Sequence, residues 1–179
     1  MNRNFRHLFK RYSFYLGGDQ PLVDWFERFR SSVGVLLGLF CVVGIAKVLG
    51  DFVGIDEWLM ASLGASALLV FVLPGSPMAQ PWAVIAGNSL SAIVGITITI
   101  LIKEPLLAMP MAASLSIFGM FMLRCLHPPA AAVALIAVLG HISHYRYAFF
   151  PVMIDSALLV IAGTVFSNLT GKIYPNRPK

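Results

Sequence analysis

The chain has 179 residues, of which 58% are hydrophobic and only 12% charged, with a formal net charge of +5 at pH 7. Soluble domains carry about 25% charged residues, so this composition excludes an ordinary water-soluble domain and reads as an integral membrane protein. Lys and Arg gather at the two chain ends, which is a topology signal; no nucleic-acid partner is expected, and the bilayer itself is the first partner.

In chain order, residues 1–30 are polar, basic and aromatic. Leu8, Phe9, Tyr12, Phe14, Tyr15 and Leu16 lie beside Arg3, Arg6, Lys10 and Arg11. This pattern predicts a cytoplasmic amphipathic arm on an anionic membrane face. No secretory leader is expected, because the first apolar run begins only near residue 31. Apolar segments then follow at 31–50, 58–73, 82–102, 106–126, 129–140 and 152–171. A spanning helix needs about 20 residues, which the first, third, fourth and sixth supply and the second and fifth do not. The breaks have clear causes. Pro74-Gly75-Ser76-Pro77 and Pro81 cannot continue a helix, Lys103-Glu104-Pro105 makes a polar turn, and His127-Pro128-Pro129 interrupts again. Residues 141–150 read as a loop in which His141 and His144 are surface residues.

The expected fold is an all-α membrane bundle of four long spans plus two short, half-length or re-entrant helices. Its parts are the arm 1–30, one transmembrane domain over 31–172 and a cytoplasmic tail 173–179. The order long, short, long occurs twice, which predicts a 3+3 inverted repeat. Faint similarity supports it: Gly-Ala-Ser-Ala-Leu-Leu-Val at 64–70 matches Pro-Ala-Ala-Ala-Val-Ala-Leu at 129–135, and Pro81 matches Pro151. Short, Gly/Pro-interrupted segments at matching places in two halves point to a transporter's central site. Basic residues before the first span and after the sixth predict two cytoplasmic termini in a bacterial inner membrane. The loop 51–57, with Asp51, Asp56 and Glu57, falls outside.

The breaks also carry the candidate chemistry. Proline is favoured in a helix's first turn, and the alanines after it leave the backbone uncovered. A helix N-terminus holds about half a positive charge and orphan N–H donors, hence an anion site. His127, Pro128, Pro129, Ala130 and Ala131 would form one such terminus, with Arg124 one turn earlier; Gly64, Ala65 and Ser66 would form the other. Against this stand plainer roles: close helix packing for Gly64-Ala65-Ser66, backbone capping for His127, interfacial snorkelling for Arg124. Asn88 is either interhelical glue or pore lining, and Gln80 either satisfies its loop backbone or touches a permeant. Asp155 is a functional candidate as an intramembrane carboxylate, unless it sits at the interface. Lys47 is expected to reach water. Cys41 and Cys125 read as small buried hydrophobes. Gly34, Gly38 and Gly44 are candidates for a helix contact. No GxSxG, HExxH, P-loop or dinucleotide fingerprint occurs, so no enzyme, metal or cofactor is expected.

Several motifs together resemble a known family. His-Pro-Pro-Ala-Ala-Ala (127–132), Leu-Gly-Ala-Ser-Ala-Leu-Leu-Val-Phe (63–71), Pro-Gly-Ser-Pro-Met-Ala-Gln-Pro (74–81) and Gly-Asn-Ser-Leu-Ser-Ala-Ile-Val-Gly (87–95) are similar to the HPP integral membrane proteins. The family is similar to plastid and cyanobacterial proteins of nitrite transport. The resemblance implies a small-anion permease or channel with nitrite as leading substrate. Trp82, Asn88 and Ala131 depart from the family's common Arg, His and Gly, which leaves another small solute open. The expected function is passage of small anions between the two short-helix termini. Arg124 and His127 would lend positive potential, Ser66 and Asn88 hydrogen bonds, and His127 a proton. A homodimer or homotrimer is expected from the small size. The alternative is a non-transporting membrane scaffold.

Overall fold

A computed structural model describes residues 24–53, 60 and 62–176. The described elements are helices α1 (Trp25–Val53), α2 (Leu63–Val72), α3 (Pro81–Leu101), α4 (Pro105–Met122), α5 (Ala130–Leu139) and α6 (Ile154–Leu169). A 3-10 turn (Pro77–Ala79) precedes α3 and a kinked wide turn (Ala148–Met153) precedes α6. The chain is all-helical among the described residues. Four helical stretches are long and apolar enough to cross a membrane: α1, α3, α4, and the wide turn continuous with α6. The other two, α2 and α5, have 10 residues each. At about 1.5 Å per residue each reaches about 15 Å, half the hydrocarbon thickness.

The boundaries differ from the hydropathy reading where polar or proline chemistry overrides it. The first helix starts at Trp25, six residues before the apolar run, because Asp24 accepts the Trp25 N–H (2.8 Å) and Glu27 pairs with Arg30 one turn on (Nε–Oε2 3.0 Å). Of the amphipathic arm expected over residues 1–30, residues 1–23 lie outside the described residues and Trp25–Arg30 open the first helix; most of the acidic loop also lies outside them. Segment two loses its first residues because the chain is non-helical at Met60 and Ser62. Segment six begins earlier than expected, in the wide turn, and bends at Phe150 (φ −131°, ψ 122°). Phe150 precedes Pro151, whose ring disfavours helical backbone in the residue before it.

Hydrogen bonds fix which ends meet. At one end the Trp82 indole donates to the Leu123 carbonyl (3.1 Å), the Tyr174 phenol to the Ala79 carbonyl (2.7 Å) and the Asn176 N–H to Gln80 Oε1 (2.8 Å). Burial holds the Tyr174 phenol above its ordinary pKa, so it remains a donor. At the other end Thr99 donates to the Ala137 carbonyl (3.2 Å) and Thr97 meets the Tyr145 phenol (3.0 Å). So α3 and α5 run in the same sense, α4 runs back between them, and α5 starts part-way along α3.

Packing between α3 and α5 is close because small residues face each other. Gly87, Ser91, Gly95 and Thr99 repeat every four residues on α3, opposite Ala130, Ala134 and Ala137. Small-xxx-small faces let backbones approach in a membrane, where no hydrophobic force draws helices together. A Cβ at Gly95 would lie 2.7 Å from the Ala134 carbonyl oxygen and 2.8 Å from its Cα. Gly34 and Gly38 do the same for α1: a Cβ at Gly38 would overlap the Phe71 ring, and one at Gly34 would meet Phe166 at 2.5 Å. Those two rings stack edge to face (5.8 Å, 71°). Gly44 has open space around it and makes no such contact. Cys41 is exposed, on the apolar groove between α1 and α6, rather than buried; Cys125 is buried as expected.

Gly95→Val should therefore cost about 1–3 kcal/mol of overpacking or more and lower the thermal midpoint of the purified protein, because the obstructing atoms are backbone. Gly44→Ala should leave the midpoint nearly unchanged. Equal midpoints for the two variants would contradict this packing.

Candidate functional site

Where α5 begins, α4 has just ended. The Arg124 N–H bonds the Phe121 carbonyl (3.2 Å) and the Cys125 N–H the Met120 carbonyl (2.9 Å). That is the Schellman closure of a helix, and it needs a left-handed residue. Here Arg124 takes that role (φ 53°), where glycine is usual. The end of α5 repeats the pattern with His141 (φ 51°), and the end of α6 with Gly171 (φ 77°). A basic side chain at a helix C-terminus complements the dipole. Arg124 is exposed and is turned outward by this geometry; it is not among the residues that bond His127.

His127 is fully buried. Its Nε2 lies 2.8 Å from Ser66 Oγ on α2, and its Nδ1 lies 2.8 Å from the Met78 carbonyl in the 3-10 turn. A carbonyl only accepts, so Nδ1 is the donor. In neutral His127, Nε2 then accepts from the Ser66 hydroxyl. One imidazole thus ties the start of α5 to α2 and to the turn before α3. Gly87 makes room for it: a Cβ there would meet the Cys125 carbonyl oxygen at 2.8 Å and His127 Cβ at 3.0 Å. Gly87 is two turns into α3, so His127 lies about 10 Å along that helix.

The first turn of α5 differs from the open anion cradle read from the sequence. The N–H groups of Ala130, Ala131 and Ala132 already donate to the carbonyls of His127, Pro128 and Pro129 (2.9, 3.2 and 3.1 Å). Pro128 and Pro129 have no N–H to offer. Ala130 is buried, Pro129 and Ala131 are half-buried, and Pro128 is exposed. The dipole of α5 is directed at His127, but its donors are committed. The head of α2 is more open. Gly64 and Ala65 are exposed, and nothing lies within 4 Å of a Cβ built at Gly64. Ser66, one turn in, is buried against His127.

Gln80 serves its own loop. Its Nε2 donates to the Pro74 and Ser76 carbonyls (3.0 and 2.9 Å), and its Oε1 accepts from Asn176. Asn88 is fully buried, and its Nδ2 donates to Ser156 Oγ on α6 (3.1 Å). The sequence reading missed Met60 and Ser156, whose hydroxyl also leans on Met60 Sδ (3.6 Å). Asp155 is fully buried, with Oδ2 accepting from the Met60 N–H (2.7 Å). Lys47 is exposed and pairs with Asp51 (3.3 Å). The structure thus joins Ser66 to His127 and Asn88 to Ser156; it keeps Gln80 in its loop and Arg124 on the surface. Among the described residues no cluster of His, Cys, Asp and Glu has metal-binding spacing.

The family described as "HPP, transmembrane region" matches residues 20–175, nearly the whole chain. The chain belongs to this HPP transmembrane family. Its HPP residues are the His127-Pro128-Pro129 break just described. Two transmembrane proteins of Dictyostelium discoideum are 34% and 36% identical to this chain, over 64% of its length in each case. The aligned stretch covers 39% and 42% of those longer proteins. No solved structure matches.

The His127 relay should be worth more than the Ser66 bond alone. Ser66→Ala should cost about 1 kcal/mol, the net value of one hydrogen bond. His127→Ala orphans both Ser66 and the Met78 carbonyl and should cost about 1–3 kcal/mol per stranded group. Thermal unfolding in detergent checks the order of the two. Arg124→Gly relieves a left-handed arginine and should raise stability by about 1 kcal/mol; a clear loss would contradict a merely capping role.

Proposed function

We propose that this HPP-family membrane protein passes small inorganic anions, with nitrite the leading substrate. The observation that carries the proposal is the buried Ser66–His127 pair, which joins the two half-length helices inside a mostly apolar bundle. Polar groups this deep in a membrane bundle are expensive and mark permeant routes by default. The open first turn of α2 at Gly64-Ala65 supplies the place where an anion reaches a helix N-terminus. In neutral His127 the Ser66 hydroxyl donates to Nε2; when the ring charges, Nε2 gains a hydrogen and the Ser66 hydroxyl is freed to donate to an anion. Weak, uncharged coordination suits release as well as binding. Nitrite rests on the likeness of these motifs to nitrite-transporting members. The bilayer placement in the proposal is a bacterial inner membrane with both termini cytoplasmic, and the assembly is a homodimer or homotrimer. No enzymatic step belongs to this reading.

The test is flux into liposomes above pH 7, where little nitrous acid is present to cross unaided. Wild-type vesicles should take up nitrite at least tenfold faster than empty ones, and faster than chloride. Gly64→Leu should fold, since that site is open, yet lose most of the flux. Absence of nitrite, nitrate and formate flux in a folded wild type would move the reading to a membrane scaffold, whose small residues serve packing only.

A further inference from the structure

Asp155 stands apart from the Ser66–His127 pair and has its own neighbourhood. The carboxyl is fully buried in the first turn of α6. One oxygen accepts the Met60 N–H, while Oδ1 has no hydrogen-bond partner among the described residues. Asn88, linked to the same place through Ser156 and Met60, also buries an oxygen, Oδ1, without a partner. Met60 leads directly into α2, its carbonyl accepting from the Leu63 N–H (3.1 Å). The Asp155 carboxyl is therefore held at the head of α2, on the positive end of that helix's dipole.

No cation answers it from the packed elements. The elements against α6 are α2, α3 and the wide turn Ala148–Met153, with α1 across the apolar groove. None of the first three contains an ionisable residue, and α6 itself has only Asp155. Tyr147, just before the wide turn, is buried and titrates only as a phenol. On α1, Lys47 is exposed and engaged by Asp51. His127 is on the other side of Ser66, with both ring nitrogens bonded. A lone carboxylate in such a place is costly, whereas the acid is not. The acid also turns the unpartnered carboxyl oxygen from an acceptor into a possible donor.

We infer that Asp155 is the proton-binding site of the transport cycle, taking up a proton as an anion occupies the head of α2 and releasing it as the anion leaves. The inference rests on the anion-transport reading above. An ionised Asp155 is itself the anion at this helix terminus and repels a second negative charge through a low-dielectric interior. Protonation removes the repulsion. Coupling is reciprocal, so a bound anion holds the proton on Asp155 by the same factor. A site that prefers both or neither moves the two together, as a proton–anion symporter. In each cycle one O–H bond forms at the carboxyl with a proton from one side and breaks to the other; no electrons are transferred. Anion affinity should rise as pH falls and weaken as pH rises through the titration of Asp155.

Two measurements on the full-length protein in lipid decide this. In infrared difference spectra across pH, the wild type should show a protonated-carboxyl C=O band that is absent in Asp155→Asn. A band that persists in the variant, or none in the wild type, overturns the assignment. In liposomes an inward proton gradient should speed wild-type nitrite uptake at least tenfold. Asp155→Asn keeps the acceptor for Met60 and should lose the acceleration. Undiminished acceleration in Asp155→Asn overturns the coupling. A wild type with the band but no anion flux overturns the transport reading while the proton site stands. Asp155→Glu should restore both band and acceleration, which a purely structural role would not require.

Discussion

A backbone that breaks inside a bilayer must satisfy its own polar groups, since hydrocarbon offers no partners. The helical stretches of this chain are interrupted at Met60 and Ser62, at His127–Pro129 and at Phe150. Contacts with other elements hold the first two. Asp155 takes the Met60 N–H, His127 takes the Met78 carbonyl and Ser66, and the first turn of α5 bonds back on His127 and its prolines. The long helices are the scaffold these contacts require. Gly87 and Gly95 thin α3 so that α5 fits, and Gly34 and Gly38 seat α1 over Phe71 and Phe166.

The outcome is two short helices that share one hydrogen bond and serve different ends. The prolines that start α5 also remove donors from it, so its terminus contributes field rather than hydrogen bonds. The head of α2 keeps an open side at Gly64 and a buried side at Ser66. Asp155 addresses that same head from α6. In the proposed cycle the imidazole and the carboxyl thus act on one helix terminus from two directions. Both are ionisable, and the hydrogen bonds each makes among the described residues are to uncharged groups.

Much of this was legible in the sequence because proline and glycine are unambiguous in apolar surroundings. Pro74, Pro81, Lys103-Glu104-Pro105 and His127-Pro128-Pro129 marked the helix ends to within a few residues. The class of fold followed from the lengths between them. Arg124 was less legible. Its spacing from His127 looked like a site, but a left-handed cap, set by the Met120 and Phe121 carbonyls, turns it outward. Gln80 looked like a loop amide with two uses, and three hydrogen bonds within and beside its loop account for it. Met60 and Ser156 had no signal at all: a methionine and a serine in apolar runs are ordinary, and only the meeting of chain segments about 95 residues apart makes them neighbours.

The central claim is that the head of α2 faces a water-filled route rather than lipid. The direct measurement is the reaction of Gly64→Cys, with Cys41 and Cys125 replaced by alanine, with a small anionic thiol reagent in lipid vesicles. The account predicts rapid modification, slowed by nitrite in a concentration-dependent way, because thiols ionise and react only where water reaches. A cysteine at this position that stays unmodified by the anionic reagent, yet reacts with a membrane-soluble one, would place Gly64 against lipid and contradict the account.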